Sequence, residues 1–371
     1  VGLEGELRIG LRVAAGRVRS IEVASTRPDV ARTVLQGRTL DEVRAAVPLL
    51  FSICGRSQAA ASELACAAAA GQPPAAALTS RCSAGVAAEM LREGAWRTLL
   101  DWPASIGERP AESAVAAARA SVTADAPGAA EPAEAVHDAV ARAALGMPAD
   151  DWLAMRSAAE LAAWAEAGAT AAARFIQRVR SDEATRGAQP GVARPGVALL
   201  SDPDHARWIG EVAQASLADL GFSRQPVWRG APAETGALAR LVGDPLVAAV
   251  AAQPGARVLA RFVARLRELA LLLAGRGMPA VGAMPMPGGS GVAWVETARG
   301  LLIHQAVVRG GRVDAYRIVA PTEWNFHPEG ALAEELRDAP AADRMALKQR
   351  ATQLVHSLDP CVACRVEFDD A

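Results

Sequence analysis

Lysine is almost missing from this chain: Lys348 is the only one, so nearly all the positive charge is arginine. Together with heavy alanine use, that bias points to a GC-rich genome rather than to a function. An excess of one charge sign is missing too. A formal net charge of -2 and a pI near 6.3 exclude a strongly cationic nucleic-acid binder, whose phosphate contacts need clustered Lys and Arg. No uninterrupted apolar run reaches about 18 residues, and the longest candidates, around Ala264–Ala274 and Cys66–Ala70, are short or broken by charge. A soluble protein is expected. Cysteine is scarce and odd in number, five in 371 residues, unlike the framework of a small secreted disulfide domain, and a reducing cytoplasm is the expected setting. The first residue is Val1 rather than Met, which leaves a removed leading segment open. No internal repeat is visible.

Apolar and polar residues alternate through Glu6–Ala14 and Val18–Val23 around Ala15-Gly16-Arg17, which predicts a β-hairpin. Helical patterning follows over Asp29–Leu35 and then from Thr39, a good N-cap, towards Gly71, with Cys54 and Gly55 interrupting the run. Short Ala-rich helices are expected between Thr79 and Met147, separated at Trp102-Pro103, at a small acidic stretch near 121–134 that reads as a mobile loop, and at Gly146-Met147-Pro148. One long helix is expected over Ala149–Arg186, then a Pro/Gly-rich connection over Gly187–Gly196, then helices over Pro203–Leu220, Ala233–Val250 and Ala256–Leu273. The Met284-Pro285-Met286-Pro287 stretch reads as a rigid loop rather than a soft-metal box. A second hairpin is expected over Gly300–Val308 and Val313–Val319, a loop over Pro321–Asn325, and helices over Gly330–Arg337 and Ala341–Ser357.

The chemistry concentrates at the two ends. Cys361 and Cys364 stand three apart, and Cys54 lies roughly 300 positions upstream; converging soft thiolates are good metal ligands. Four readings of the pair are open. In a helix or tight turn both sulfurs reach one ion; a structural zinc site lacks its second pair, because Ser57 stands where another Cys would fall; a redox pair belongs between a strand and a helix; and the spacing is also compatible with chance. Taken alone, Cys54 reads as a small buried core residue, Arg299 as half of an ion pair and His304 as a satisfied buried histidine.

Asp359-Pro360-Cys361-Val362-Ala363-Cys364 resembles the carboxyl-terminal metal-ligand motif of the nickel-iron hydrogenase large subunit. Glu4-Gly5-Glu6-Leu7-Arg8, Leu35-Gln36-Gly37-Arg38, Arg299-Gly300-Leu301-Leu302-Ile303-His304 and Pro321-Thr322-Glu323-Trp324-Asn325 are similar to further stretches of that family. The likeness covers both ends and hardly touches the middle. The family's first motif, Cys-Gly-x-Cys-x-x-x-His, is incomplete here: Cys54 and Gly55 stand, but Ser57 and Ala61 replace the second Cys and the His. Glu367 replaces the His that follows the last Cys in the enzymes, and a removable tail is not expected. A serine hydroxyl substitutes poorly for a bridging thiolate, so hydrogen activation at a binuclear centre is not expected.

With these departures the chain resembles the hydrogenase accessory proteins of the HupK/HoxV type. The resemblance implies an α+β, predominantly α-helical, shortened large-subunit-like fold, a single domain over 1–371. It implies a cytoplasmic, non-catalytic maturation scaffold that holds an iron carrying two cyanides and one carbon monoxide, Fe(CN)2(CO), with nickel not expected. Cys54, Cys361 and Cys364 would hold the iron, and Arg299, Thr322, Pro321, His304 and Glu4 would surround its ligands. The implied partners are the upstream maturation complex that builds the iron unit and the apo-large subunit that receives it; neither a nucleic acid nor a membrane span is expected. A divergent redox subunit and a metal-free chaperone of the apo-large subunit are the alternatives. Cys66 and Cys82 match no motif and are expected to pack inside helices.

Overall fold

Leu7, Ile9 and Leu11 alternate into the core along strand β1 (Glu6–Ala14), which turns through Ala15 and Gly16 into β2 (Arg17–Ser25) in the computed structural model. Both turn residues have positive φ, 52° and 69°, the geometry that matches a two-residue hairpin to the twist of its strands. The structure describes residues 5–51, 53–123, 133–187 and 197–369. Contacts within the chain define two compact units, one drawn from Val1–Val86, Arg194–Ala239 and Pro279–Ala371, the other from Ala87–Ala193 and Arg240–Met278.

In the first unit, β9 (Ala363–Asp369) lies parallel to β1, from Glu6 opposite Ala363 to Arg12 opposite Asp369, so the two ends of the chain share one sheet. After the hairpin, Asp29 caps α1 (Val30–Leu35), and Thr39 with Glu42 forms a reciprocal capping box on α2 (Leu40–Leu50). Helix α3 (Gly55–Ala69) follows a short break that contains Cys54. A two-stranded parallel pair, β3 (Ala198–Leu199) and β4 (Ala233–Glu234), precedes an antiparallel meander of β5 (Val281–Met286), β6 (Ser290–Thr297), β7 (Gly300–Arg309) and β8 (Arg312–Val319).

Strands β6 and β7 are buried on both faces, which is why their sequences read as nearly continuous apolar runs. Leu301 and Ile303 pack with Trp208 and Ile209 of the helix His205–Ala218, whereas Ala306 packs on the opposite side with Tyr316 and Cys66 of α3. The small residues of α3 let it approach the sheet closely. Gly291 is the contact point: a Cβ there would fall 2.1 Å from Ala69 N and 2.6 Å from Ala65 O.

The second unit is helical. Trp102, Phe175 and Phe262 form an aromatic cluster with ring centroids 4.7 to 5.3 Å apart. The buried Glu183 carboxylate accepts from Val258 N and Leu259 N at 3.1 and 3.3 Å, satisfying the first turn of the helix Arg257–Leu273.

Several local expectations are corrected. The helix α4 (Ala76–Trp96) does not stop before Trp102-Pro103 but continues through a π turn, Arg97–Asp101, into Trp102–Ser105. Pro103 has no N–H to give to this ladder, and the wider π turn directly before it takes up the break. The long helix expected over Ala149–Arg186 is three, Ala149–Leu153, Ala158–Ala167 and Ala171–Gly187, because Ser157 and Glu160 open a capping box and Gly168 closes the middle helix in the left-handed conformation. Ala233–Val250 holds β4 and two short helices, Ala237–Arg240 and Pro245–Ala251, the latter capped by Asp244. Met284-Pro285-Met286 belongs to β5, where an edge position tolerates the proline. Pro321–Asn325 is a short helix, and the last helix, Arg344–Leu358, opens at the Asp343 cap rather than at Pro340. Of the stretch near 121–134, the ends are helical, with Glu112–Thr123 before and Ala133–Leu145 after; residues 124–132 lie outside the described residues, as does most of Gly187–Gly196. Among the described residues no helix is long and apolar enough to cross a membrane.

Gly291→Ala is expected to lower unfolding stability by about 1–3 kcal/mol, the usual range for overpacking a tight contact. A urea midpoint equal to wild type would contradict the close seat of α3 on β6.

Candidate functional site

Every described candidate residue from the two ends falls in the first unit. Cys54 stands at the N-cap of α3, where its carbonyl accepts from Gln58 N at 3.0 Å and its sulfur receives Gln58 Nε2 at 3.7 Å. Cys361 follows Asp359, whose positive φ of 51° ends the helix Arg344–Leu358 and turns the chain towards β9. Thr322, buried at the start of the Pro321–Asn325 helix, holds this turn: its Oγ1 is 3.1 Å from Cys361 Sγ and accepts from Cys361 N at 3.4 Å. Cys364 lies on β9 opposite Leu7. Burial, followed by the neighbouring Cys361 and Glu6, pushes its thiol up to about 12.

Asn325 fastens the surrounding segments. Its Nδ2 reaches Arg299 O and Leu358 O, each at 3.4 Å, and its Oδ1 accepts from Thr235 N at 2.9 Å. Arg299 therefore sits at the buried β6–β7 turn, its own N–H held by Thr297 Oγ1 at 3.2 Å. Pro321 is buried at the first position of its helix. His304 is fully buried, with Nδ1 2.8 Å from Tyr316 Oη and Nε2 2.9 Å from Gln58 Oε1; burial pushes it down to about 3, so it is neutral. Both ring nitrogens face protein partners, which places His304 behind Gln58 rather than beside the sulfurs. Glu4 lies outside the described residues.

The residue that sequence reasoning missed is Arg27. Burial opposes its charge, yet Cys361, Glu323 and Cys54, with a hydrogen bond to Cys361, outweigh burial and hold the guanidinium ionised. Its Cζ lies 5.7 Å from the centroid of Phe51, and Nη1 is 3.9 Å from Glu323 Oε1. Arg27 and Glu323 also line a cavity of about 90 Å³ walled by Leu50, Phe51, Leu220 and Arg224. Nothing in the sequence around Arg27 marks it, because only the fold carries the end of β2 to the cysteines. Gln58, four residues after Cys54 at helical spacing, was the more legible of the two. Among the described residues no group of three or more His, Cys, Asp or Glu side chains is disposed to hold a metal ion by itself.

Cys66 and Cys82 pack inside α3 and α4, and burial pushes both thiols up to about 11.

The arrangement of helices around small sheets is that of a hydrogenase large subunit. NiFeSe hydrogenase of Desulfovibrio vulgaris Hildenborough superposes over 94% of each chain with a TM-score of 0.58 at 16% identity, a likeness of fold, and a Nickel-dependent hydrogenase family model matches residues 238–367. The chain is 32% identical to the hydrogenase expression/formation protein HupK of Rhizobium leguminosarum bv. viciae, over 99% of this chain and 97% of that one. It is 30% identical to HoxV of Cupriavidus necator, over 94% and 93%. The chain belongs to the HupK/HoxV family of hydrogenase expression/formation proteins.

Glu323 supplies a pH test of this cluster. Burial raises its carboxyl from 4.5 to about 7 against the opposing pull of Arg27 and Arg224. The folded state therefore binds the proton more tightly than the unfolded state, so this stabilisation is complete below pH 4.5 and is lost as pH rises through about 7. In Glu323→Gln that loss is absent, and the stability of the variant relative to wild type is expected to climb between about pH 4.5 and pH 8 in urea unfolding. A pH-independent difference would contradict a buried, proton-retaining Glu323.

Proposed function

We propose that this chain is a hydrogenase maturation scaffold that holds the Fe(CN)2(CO) unit on cysteine sulfur and passes it to the apo-large subunit of a nickel-iron hydrogenase. The observation that carries the reading is the buried Arg27 guanidinium beside both Cys361 and Cys54, with the Thr322 hydroxyl on Cys361. A ferrous ion bearing two cyanides and two thiolates has two net negative charges, and burying that charge is costly unless cations and hydrogen-bond donors surround it. Arg27 is one such cation, and Arg299, at the turn fastened by Asn325, is assigned as the second.

An iron that arrives with three diatomic ligands needs few from the protein. A donor set smaller than a closed cage suits such a cargo, whereas a bare ion would require a fuller one. Cys54 and Cys361 are the principal sulfurs. Cys364, protonated at neutral pH by its burial, releases a proton if it joins them. Thr322 and Arg299 donate to the cyanides, Pro321 fixes the helix that presents Thr322, and His304 acts at one remove. Ser57 is buried where the enzymes carry a bridging thiolate, so nickel is not part of the cargo. Release to the large subunit follows from the same deficit, since the receiving site offers more thiolates. The work is assembly rather than turnover, in the cytoplasm, between the complex that builds the iron unit and the apo-large subunit. The absence of a three-residue ligand group among the described residues is also what a metal-free chaperone would present.

Iron and nickel per chain, measured on protein purified without oxygen, separate these readings. Cys54→Ser and Cys361→Ser are each expected to lose iron and to abolish hydrogenase maturation, while Cys66→Ser and Cys82→Ser keep both. Full iron occupancy in Cys54→Ser, or nickel equal to iron in wild type, would sink the proposal.

A further inference from the structure

A line of buried hydrogen bonds runs from β8 to Cys54. Tyr316 Oη is 2.8 Å from His304 Nδ1, His304 Nε2 is 2.9 Å from Gln58 Oε1, and Gln58 Nε2 is 3.7 Å from Cys54 Sγ. Tyr316, His304 and Gln58 are all at most 2% exposed, so water does not substitute for the links between them, and the last link, to Cys54, is part-buried. The line spans three separate parts of the first unit: Tyr316 on β8, His304 on β7, and Gln58 in the first turns of α3.

The line has one consistent direction. Burial holds the Tyr316 phenol well above its ordinary range and the imidazole well below its own, so the phenol keeps its proton and the ring carries only one. The Ser62 hydroxyl donates to the phenol oxygen, so the phenol proton is given to Nδ1 and the single ring proton stands on Nε2, which agrees with the acceptor Gln58 Oε1 lying 2.9 Å from it. Nε2–H then donates to Gln58 Oε1. With its oxygen so engaged, the amide turns its N–H groups, not its carbonyl, towards the sulfur of Cys54. A flipped amide would place two lone pairs against Cys54 and an N–H against the Nε2 proton.

We propose that Tyr316, His304 and Gln58 are positioning residues that fix the Gln58 amide so that Cys54 sulfur is met by a hydrogen-bond donor. The inference rests on the reading of Cys54 as a cargo ligand. A donor at sulfur draws electron density from it, which weakens its hold on a bound metal. For a scaffold that must release its cargo, a weakened sulfur is an advantage.

The test compares Gln58→Glu, Gln58→Leu and Tyr316→Phe with wild type. In metal-free protein at a fixed neutral pH, iodoacetamide labelling of Cys54 is followed by peptide mass spectrometry, with Cys361 as internal reference. Gln58→Glu keeps an acceptor for His304 but sets a carboxylate oxygen against the sulfur, and labelling of Cys54 is expected to slow about tenfold or more relative to Cys361. Tyr316→Phe, three links away, removes the group that selects the tautomer and is expected to slow Cys54 by a smaller factor, an effect that packing alone would not direct to Cys54. In native protein purified without oxygen, Gln58→Leu is expected to move the carbonyl stretch to lower wavenumber, because a sulfur without its donor gives more density to iron. Wild-type labelling of Cys54 in a folded Gln58→Glu variant overturns the proposal, as does an unshifted carbonyl band in Gln58→Leu. Wild-type protein without any carbonyl band would sink the iron reading alone, since the labelling experiment does not depend on it.

Discussion

The parallel pairing of β9 with β1 is the constraint on which the sulfur-bearing region depends. A parallel pair needs a long crossover, and here nearly the whole chain supplies it. Because Leu7 lies opposite Cys364 and Glu6 opposite Ala363, the pairing fixes where the last cysteines stand relative to the hairpin that leads to Arg27. Asn325 completes the fixation from the other side by tying the β6–β7 turn to the end of the last long helix. The close seat of α3 on Gly291 then sets the depth at which Cys54 begins its helix.

Electrostatics decides what this frame tolerates. Burial outweighs the pull of Arg44 on Cys66 and of Arg81 on Cys82 and holds both thiols protonated, and Cys364 is held protonated too. Arg27 stays charged in spite of burial, with Cys361 the largest of the groups that offset its cost. Burial raises the Glu323 carboxyl to about 7 in spite of Arg27, so this neighbour changes charge near neutral pH and the cluster is not a simple ion pair. In the proposed function, the Arg27 charge beside Cys361 and Cys54 would offset the net negative charge of a ligated iron.

The sequence made the hairpins legible because alternation and turn residues agreed, and it made the caps at Asp29 and Thr39 legible because their chemistry is local. It concealed the break at Gly168 under a continuous apolar period, and it concealed β5 because Met-Pro-Met-Pro carries loop chemistry that an edge strand tolerates. At the site, residues belonging to family motifs were legible: Cys54, Arg299, Thr322, Cys361 and Cys364. Arg27 was not, since Cys361 and Glu323 come from segments about 300 residues away, Cys54 and Phe51 lie beyond two helices, and no local pattern encodes such contacts. His304 stood out as a position, but its service to Gln58 required the register of β7 against α3.

Infrared spectroscopy of the wild-type chain purified without oxygen, alone and then after incubation with an apo-large subunit, tests the central claim most directly. Carbonyl and cyanide stretches fall where protein has almost no absorption. The account predicts one carbonyl and two cyanide bands on this chain, followed by their appearance on the large subunit as they fade here. A spectrum without such bands on protein that still supports hydrogenase maturation would contradict it.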